Sequence, residues 1–511
     1  MTARTNRRRF LAAAAVTAGG TIIGAGWARL GQSGVLLRSR CPLPPAFQSL
    51  LPIPPTLRPS RVTADTDYYE ITQHLAEVSI LPGFATTAWT YAGSFPGPTL
   101  ISRAGRRTVV RHVNRLPHPV VVHLHGGHTP HDSDGYPLDL IAPVAAKPGD
   151  AAMTLPGSTM VGYRDYVYPL RQPSATLWYH DHRMGFTGPG VWYGLAGFHL
   201  IHDDIEDALP LPRGDRDIPL MITDRAFTAD GQLHYPLADP DFHTPGTTSA
   251  YRDGVLGDVI LVNGAPWPVL PVDRAQYRLR LLNASNARRY RLRLDPPPPG
   301  GDGLVQIGSD GGLLDRPIAH DDLPIAPAER FDVIVDFRRY PPGARVQLTN
   351  TLGSDSTGRI MRFDIATGPA PTDDARIPHT LTAPNTLDPA SARTTRTFAF
   401  QNYPGGWRIN GRLYQPGTDI AQPRLGDTEL WRFTTDFHHP IHTHLGQFRI
   451  LTRNDHPLRP SDHGWKDTID LGPAETAEIA VQFTDYPGRY LLHCHNLEHE
   501  DMAMMADFTT I

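Results

Sequence analysis

Four short histidine clusters punctuate the chain: His123-Leu124-His125, His180-Asp181-His182, His439-Pro440-Ile441-His442-Thr443-His444 and His493-Cys494-His495, the last trailed by His499 and Met504. On a β-strand alternate side chains leave the same face, so each His-x-His pair aims both imidazoles one way. The pairs supply His123, His125, His180, His182, His442, His444, His493 and His495. That is too many nitrogens for one metal ion; it fits three, with room for an exogenous ligand. Imidazole suits zinc, copper, iron and nickel alike, so the pairs leave the metal open. Cys494 narrows it. Lying between His493 and His495, it points to the opposite strand face, where His439 and His499 can meet it with Met504 as a weak axial partner. Two imidazoles, a thiolate and a distant thioether describe a blue-copper electron-transfer centre. Side chains leaving opposite faces of one strand place the two centres on the order of 10 Å apart. Cys494 then offers an electron a short covalent route to its neighbouring histidines.

A zinc hydrolase uses three or four ligands and no embedded thiolate of this kind. A single histidine pair in a strand is ordinarily structural; four pairs, one enclosing a cysteine, are not expected by chance. His112, His118, His128, His131, His199, His202 and His438 lack the pattern and are expected in surface or packing roles.

Strands must carry these pairs, and the chain reads as short alternating runs bounded by Gly, Pro, Asn and Asp, the pattern of all-β sandwiches. Runs such as 108–113, 278–282 and 331–337 are examples. A weak repeat underlies them. Nine and eleven residues past Asn114 stand His123 and His125, while the same offsets from Asn283 give Leu292 and Leu294. Two copies are therefore expected to carry a site and the central one to act as a spacer. Boundaries are expected near Asp203–Asp217 and Thr367–Arg396, dividing the chain into 1–44, 45–205, 215–366 and 380–511.

The 511 residues suit about three domains. A net charge of −4 gives no basic excess of the sort nucleic acid demands. Cys41 and Cys494 are the only cysteines, too few for a disulfide scaffold or a CxxC-type zinc site. Cys41 is expected to be an incidental thiol. Arg4, Arg7, Arg8 and Arg9 precede a small-residue, weakly apolar stretch to about Trp27, which reads as an export signal. That stretch falls short of the ~20 residues a membrane span needs. Residues 1–44 are thus expected to be signal and tail, and the mature protein to be secreted or held in the cell envelope or periplasm. Arg7-Arg8-Arg9-Phe10-Leu11 looks like a twin-arginine signal, whose machinery exports folded proteins.

These residues resemble the multicopper oxidases, over nearly the whole chain after the signal. The likeness is nearest to the bacterial spore-coat laccase branch, which includes bilirubin-oxidising and aminophenol-oxidising members. It shows also in Leu51-Pro52-Ile53-Pro54, Gly126-Gly127-His128-Thr129-Pro130, Trp178-Tyr179-His180-Asp181-His182, 307–314, Ala326-Pro327-Ala328-Glu329-Arg330 and Gly464-Trp465-Lys466-Asp467-Thr468. The resemblance implies three cupredoxin-like Greek-key β-sandwich domains in tandem and four copper ions. It implies His439, Cys494, His499 and Met504 at a type 1 copper, His123 and His442 at a type 2 copper, and His125, His180, His182, His444, His493 and His495 at a type 3 pair. It further implies that the ring edge of His499 faces substrate.

The expected reaction is one-electron oxidation of phenols, aminophenols or aromatic amines, bilirubin among the candidates, coupled to reduction of O2 to water. That reduction consumes protons, which a nearby carboxyl can supply. Glu500, beside His499, and Asp134, in His131-Asp132-Ser133-Asp134-Gly135, are the candidates, although Asp134 also suits a plain Asp-Gly turn. The alternative function is an envelope metallo-oxidase that oxidises Cu(I). Only nine Met occur, with none between His444 and His493, which argues against it. A non-catalytic copper-storage protein would have lost ligands, and this chain keeps them all. A monomer is expected.

Overall fold

Asn114 and Asn283 perform the same task in the first two thirds of the chain. Asn114 Nδ2 donates to the carbonyls of His118 and Ile141 at 2.8 Å each, and Oδ1 accepts from Leu116 N at 2.9 Å. Asn283 makes the matching set with the Arg288 and Ile325 carbonyls at 2.8 and 3.1 Å and Ser285 N at 3.0 Å. Each amide satisfies backbone groups that a buried turn would otherwise leave unpaired. Each thereby sets where the following strand begins, Val122–His125 in one case and Tyr290–Asp295 in the other.

The computed structural model describes residues 33–147, 157–384, 386–454 and 456–511. The basic N-terminal stretch read as an export signal lies outside the described residues. No helix among them is long and apolar enough to cross a membrane.

The protein is nearly all-β, built as three cupredoxin-like sandwiches. In the first, a sheet running through Thr66–Val78, Arg107–Asn114 and Tyr163–Tyr168 faces one ordered Gly97–Arg103, Ala196–His202, Ala175–Asp181, Val122–His125. The second pairs a seven-stranded with a five-stranded sheet, and Leu292 and Leu294 lie buried in the core between them. The third pairs two five-stranded sheets, one ordered Asp419–Ala421, Met505–Thr510, Gly488–Cys494, His439–Thr443, Thr468–Leu471. Register does the rest. His123 stands opposite His180, and His442 opposite His493.

Both the stretch before the first domain and the first boundary stretch take part in the packing. Over 33–44 the chain is no loose tail: Val35–Leu37 pairs in parallel with Val255–Gly257. Leu37 and Cys41 sink into the middle core, and Ser39 binds the Asp258 carboxylate through Oγ at 2.6 Å and N at 2.9 Å. The boundary stretch Asp203–Asp217 covers a buried ionic junction. Glu206 and Asp217 neutralise Arg278 and Arg280, which project from Gln276–Asn283, with Arg280 Nε 2.7 Å from Asp217. Unpaired, those guanidinium groups would be costly to bury.

Candidate metal centre

All eight imidazoles of the His-x-His pairs are buried. Ligand atoms within 4.8 Å of one another unite His125, His180 and His495 in one set and His182, His444 and His493 in a second. His123 and His442 meet across the first and third domains, Nε2 to Nε2 at 3.4 Å, with His125 adjoining them. Each sequence pair is thus shared between two positions, an outcome of strand register that spacing alone does not reveal.

The outer ring nitrogens are held by donors' partners that fix each ring. His442 Nδ1 donates to the Asp467 carbonyl at 2.9 Å, His180 Nδ1 to the Asp181 carbonyl at 2.8 Å and His123 Nδ1 to the Asp134 carbonyl. His444 Nδ1 donates to Asp134 Oδ2 at 2.6 Å. His125 is reversed: Nε2 faces Asp467 Oδ1 at 3.1 Å, leaving Nδ1 for the interior. His125 Nδ1, His180 Nε2 and His495 Nε2 are buried without a hydrogen-bond partner. Orphaned nitrogens converging in a dry cavity are what a metal site requires, since buried polar groups otherwise find partners.

Burial pushes the His123, His125, His442, His444 and His495 imidazoles down, and takes His180 to about 3 and His182 to about 4. At neutral pH their lone pairs are free for a metal. The sign for stability follows from proton uptake. Below the ordinary histidine value of 6.5 the unfolded chain binds protons that the metal-free fold refuses until about pH 4 or lower. The metal-free protein should therefore lose thermal stability steadily as pH falls from about 6.5 towards 4. A calorimetric melting temperature that stays flat across that window would contradict neutral burial of these rings.

On the other side of the strand Gly488–Cys494, Cys494 Sγ lies 3.4 Å from His439 Nδ1 and 3.6 Å from His499 Nδ1, which are 3.2 Å from each other. Three ligands bonded to one ion at ~2.0–2.3 Å make a triangle of this size. Burial pushes the thiol pKa well up, so a thiolate persists there only beside a cation. Met504 is fully buried in the same core cluster, and its backbone accepts from Cys494 N at 3.1 Å and donates to the His499 carbonyl at 2.9 Å. A soft thiolate with two imidazoles and a nearby thioether fits copper.

His499 is fully buried, and Trp407, from the strand Gly406–Ile409, covers it with ring centroids 3.7 Å apart. His499 Nε2 sits 3.3 Å from Asn496 Nδ2. Trp407 brings an apolar lid from a hairpin distant in sequence, which is why no local motif announced it.

Glu500 is fully buried on the short helix Leu497–Asp501, with Oε2 3.3 Å from His493 Nδ1 and Oε1 accepting from Thr187 Oγ1 at 2.6 Å. Burial alone would raise its carboxyl, but His182 and His493 outweigh that and hold it well below the carboxylate range. Asp134 is buried too, and burial raises it well above that range. Of the remaining histidines, His112 and His199 pack inside the first domain against Gln73 and Ser102. His128 joins Asp485 and stays out of the cluster. Asp467, Arg330 and Thr187 carry contacts to the site that sequence reasoning left unassigned, though two of them stand in motifs already singled out.

Comparison with known proteins agrees with this geometry. Family models described as multicopper oxidase match residues 74–206 and 378–511. A laccase of Bacillus subtilis is 37% identical, over 90% of this chain and 97% of its own. A bilirubin oxidase of Albifimbria verrucaria is 34% identical, over 91% of this chain and 81% of its own. Among solved structures, a laccase from Pediococcus acidilactici superposes with a TM-score of 0.79 at 32% identity, over 93% of this chain and 96% of that one. The chain belongs to the multicopper oxidase family. Within it, the protein is a laccase-like, copper-dependent oxidoreductase that uses oxygen.

Proposed function

We propose that this enzyme holds four coppers and oxidises phenols, aminophenols and aromatic amines, bilirubin included, one electron at a time while reducing O2 to two waters. One observation carries the reading. The segment His493-Cys494-His495 puts its thiol against His439 and His499, and sends its two histidines into separate members of the buried cluster. In this reading His439, Cys494, His499 and Met504 hold the type 1 copper, and His123 with His442 the type 2. His125, His180, His182, His444, His493 and His495 hold the type 3 pair. Bound copper supplies one-electron oxidation at the thiolate and oxygen reduction at the histidine cluster.

The chain's own groups do the rest. The Cys494 main chain joins the two regions covalently, so an electron needs no diffusing carrier. Trp407 excludes water from His499, and an aromatic donor passes its electron through this cover without touching the ligand. Glu500, gripped by Thr187 and facing His493, rests as a carboxylate and relays protons on the cluster's inner side. Asp134 orients His444 through Oδ2 and His123 through its carbonyl, and its carboxyl serves as a second proton site. Export as a folded monomer through twin-arginine machinery, to the envelope, the periplasm or the medium, belongs to the same proposal and rests on Arg7-Arg8-Arg9.

Oxygen uptake by copper-loaded protein tests the substrate class. A dimethoxyphenol should drive consumption of one O2 per four electrons. Uptake with Cu(I) alone would make the enzyme a metallo-oxidase instead, and no uptake with either would end the oxidase reading.

A further inference from the structure

The middle domain has Leu292 and Leu294 where its neighbours carry histidine pairs, yet one of its side chains grips a residue that orients the cluster. Arg330, at the start of the strand Arg330–Asp336, is entirely buried. Nε donates to the Thr176 carbonyl at 3.0 Å and Nη1 to the Ala328 carbonyl at 3.0 Å, while Nη2 reaches the Asp310 carbonyl at 3.1 Å. Both terminal nitrogens also fork onto the Asp467 carboxylate, Nη1 at 2.8 Å from Oδ1. A bidentate guanidinium fixes a carboxylate in plane and position, which a lysine cannot.

Asp467 passes that position inward twice. Its Oδ1 lies 3.1 Å from His125 Nε2, and its carbonyl accepts from His442 Nδ1 at 2.9 Å. The His125 and His442 rings stack with centroids 3.7 Å apart. Asp310, also of the middle domain, braces the loop from beneath: Oδ2 accepts from Asp467 N at 3.2 Å and Thr468 N at 3.3 Å. Space for the fork is provided at Gly126, next to His125, where a Cβ would fall 2.5 Å from Arg330 Nη2 and 2.9 Å from Asp467 Oδ2. A buried ion pair is poor evidence for stability, because a well-packed apolar pair is often as good or better. This one lies where it controls the direction of two cluster rings drawn from two other domains.

We propose that the copperless middle domain is a positioning element of the histidine cluster: the Arg330 fork fixes Asp467, which turns His125 Nδ1 and His442 Nε2 inward. The inference rests on the copper reading above.

Arg330→Met and Arg330→Lys in the copper-loaded enzyme test it, with Ser309→Ala as control. Ser309 Oγ donates to the Trp465 carbonyl at 2.7 Å in the same domain interface and touches neither Arg330 nor Asp467. Copper per chain, the blue band, the EPR signal of non-blue copper and the melting temperature are measured before and after dialysis against a chelator. Both Arg330 variants should keep the blue band, shift the non-blue EPR signal and hold that copper about 10–100-fold more weakly. Ser309→Ala should lower only the melting temperature. If Arg330→Met fails to fold, Arg330→Lys carries the test, because it keeps the charge and loses the fork. Arg330 variants that melt lower with copper retention and EPR unchanged would reduce the fork to an ordinary interface contact and overturn the proposal. Wild-type protein that takes up no copper would instead remove the reading beneath it.

Discussion

Cys494→Ser should abolish the blue absorption and bring turnover of aromatic donors to background, while the copper held by the buried histidines remains. The thiolate is both the soft ligand that copper at His439 and His499 requires and the first atom of the path to His493 and His495. A serine hydroxyl is a hard, protonated donor and supplies neither. Loss of the fold is not the expected cause. Burying a hydroxyl without a partner costs roughly 1–3 kcal/mol, and Asn496 N, now 3.4 Å from Sγ, is placed to donate to it. Copper analysis, the visible spectrum and oxygen uptake on one preparation decide the matter. Cys41 lies in the middle core and cannot substitute, so a blue band surviving the change would refute the assignment.

The second large effect is expected at the carboxyls. Glu500→Gln preserves volume and the Thr187 contact but removes the proton-transferring group, and should slow oxygen uptake by about 10²–10⁴-fold, the usual range for a lost acid or base. The resting blue band should survive, because Glu500 contacts His493 and Thr187 and not the thiolate site. During turnover that band should bleach in the variant and persist in the parent, since electrons still enter and leave slowly. Asp134→Asn should act more weakly. An asparagine oxygen can still accept from His444 Nδ1, so orientation is kept and only the titratable proton is lost. Stopped-flow spectra with an oxygen electrode measure both variants. Uptake equal to the parent in both would remove these carboxyls from the chemistry.

Most of the site was legible in the residues because metal ligation demands particular atoms at strand spacing. His-x-His is conspicuous, and a cysteine inside the fourth pair has few other readings. The all-β class followed from short alternating runs, and the repeat from Asn114 and Asn283, whose amides brace the same turn. Trp407 was not legible, since an aromatic residue in a hairpin does not announce which ring it will cover. Asp203–Asp217 reads in sequence as a polar boundary, and nothing local shows that its Glu206 and Asp217 answer Arg278 and Arg280 on a strand about sixty to seventy-five residues away.

What the sequence alone determined is the chemistry: ten histidines, Cys494 and Met504 carry the right donor atoms whatever the fold does with them. Tertiary structure decided how those atoms are shared. Only packing three sandwiches together makes His123 meet His442, gives His444 the Asp134 carboxylate and brings Arg330 to Asp467. Ligand identity is a property of single residues. Ligand orientation is set by hydrogen bonds, some local and others, such as those of His444 to Asp134 and His125 to Asp467, between segments hundreds of residues apart that meet only once the chain has folded.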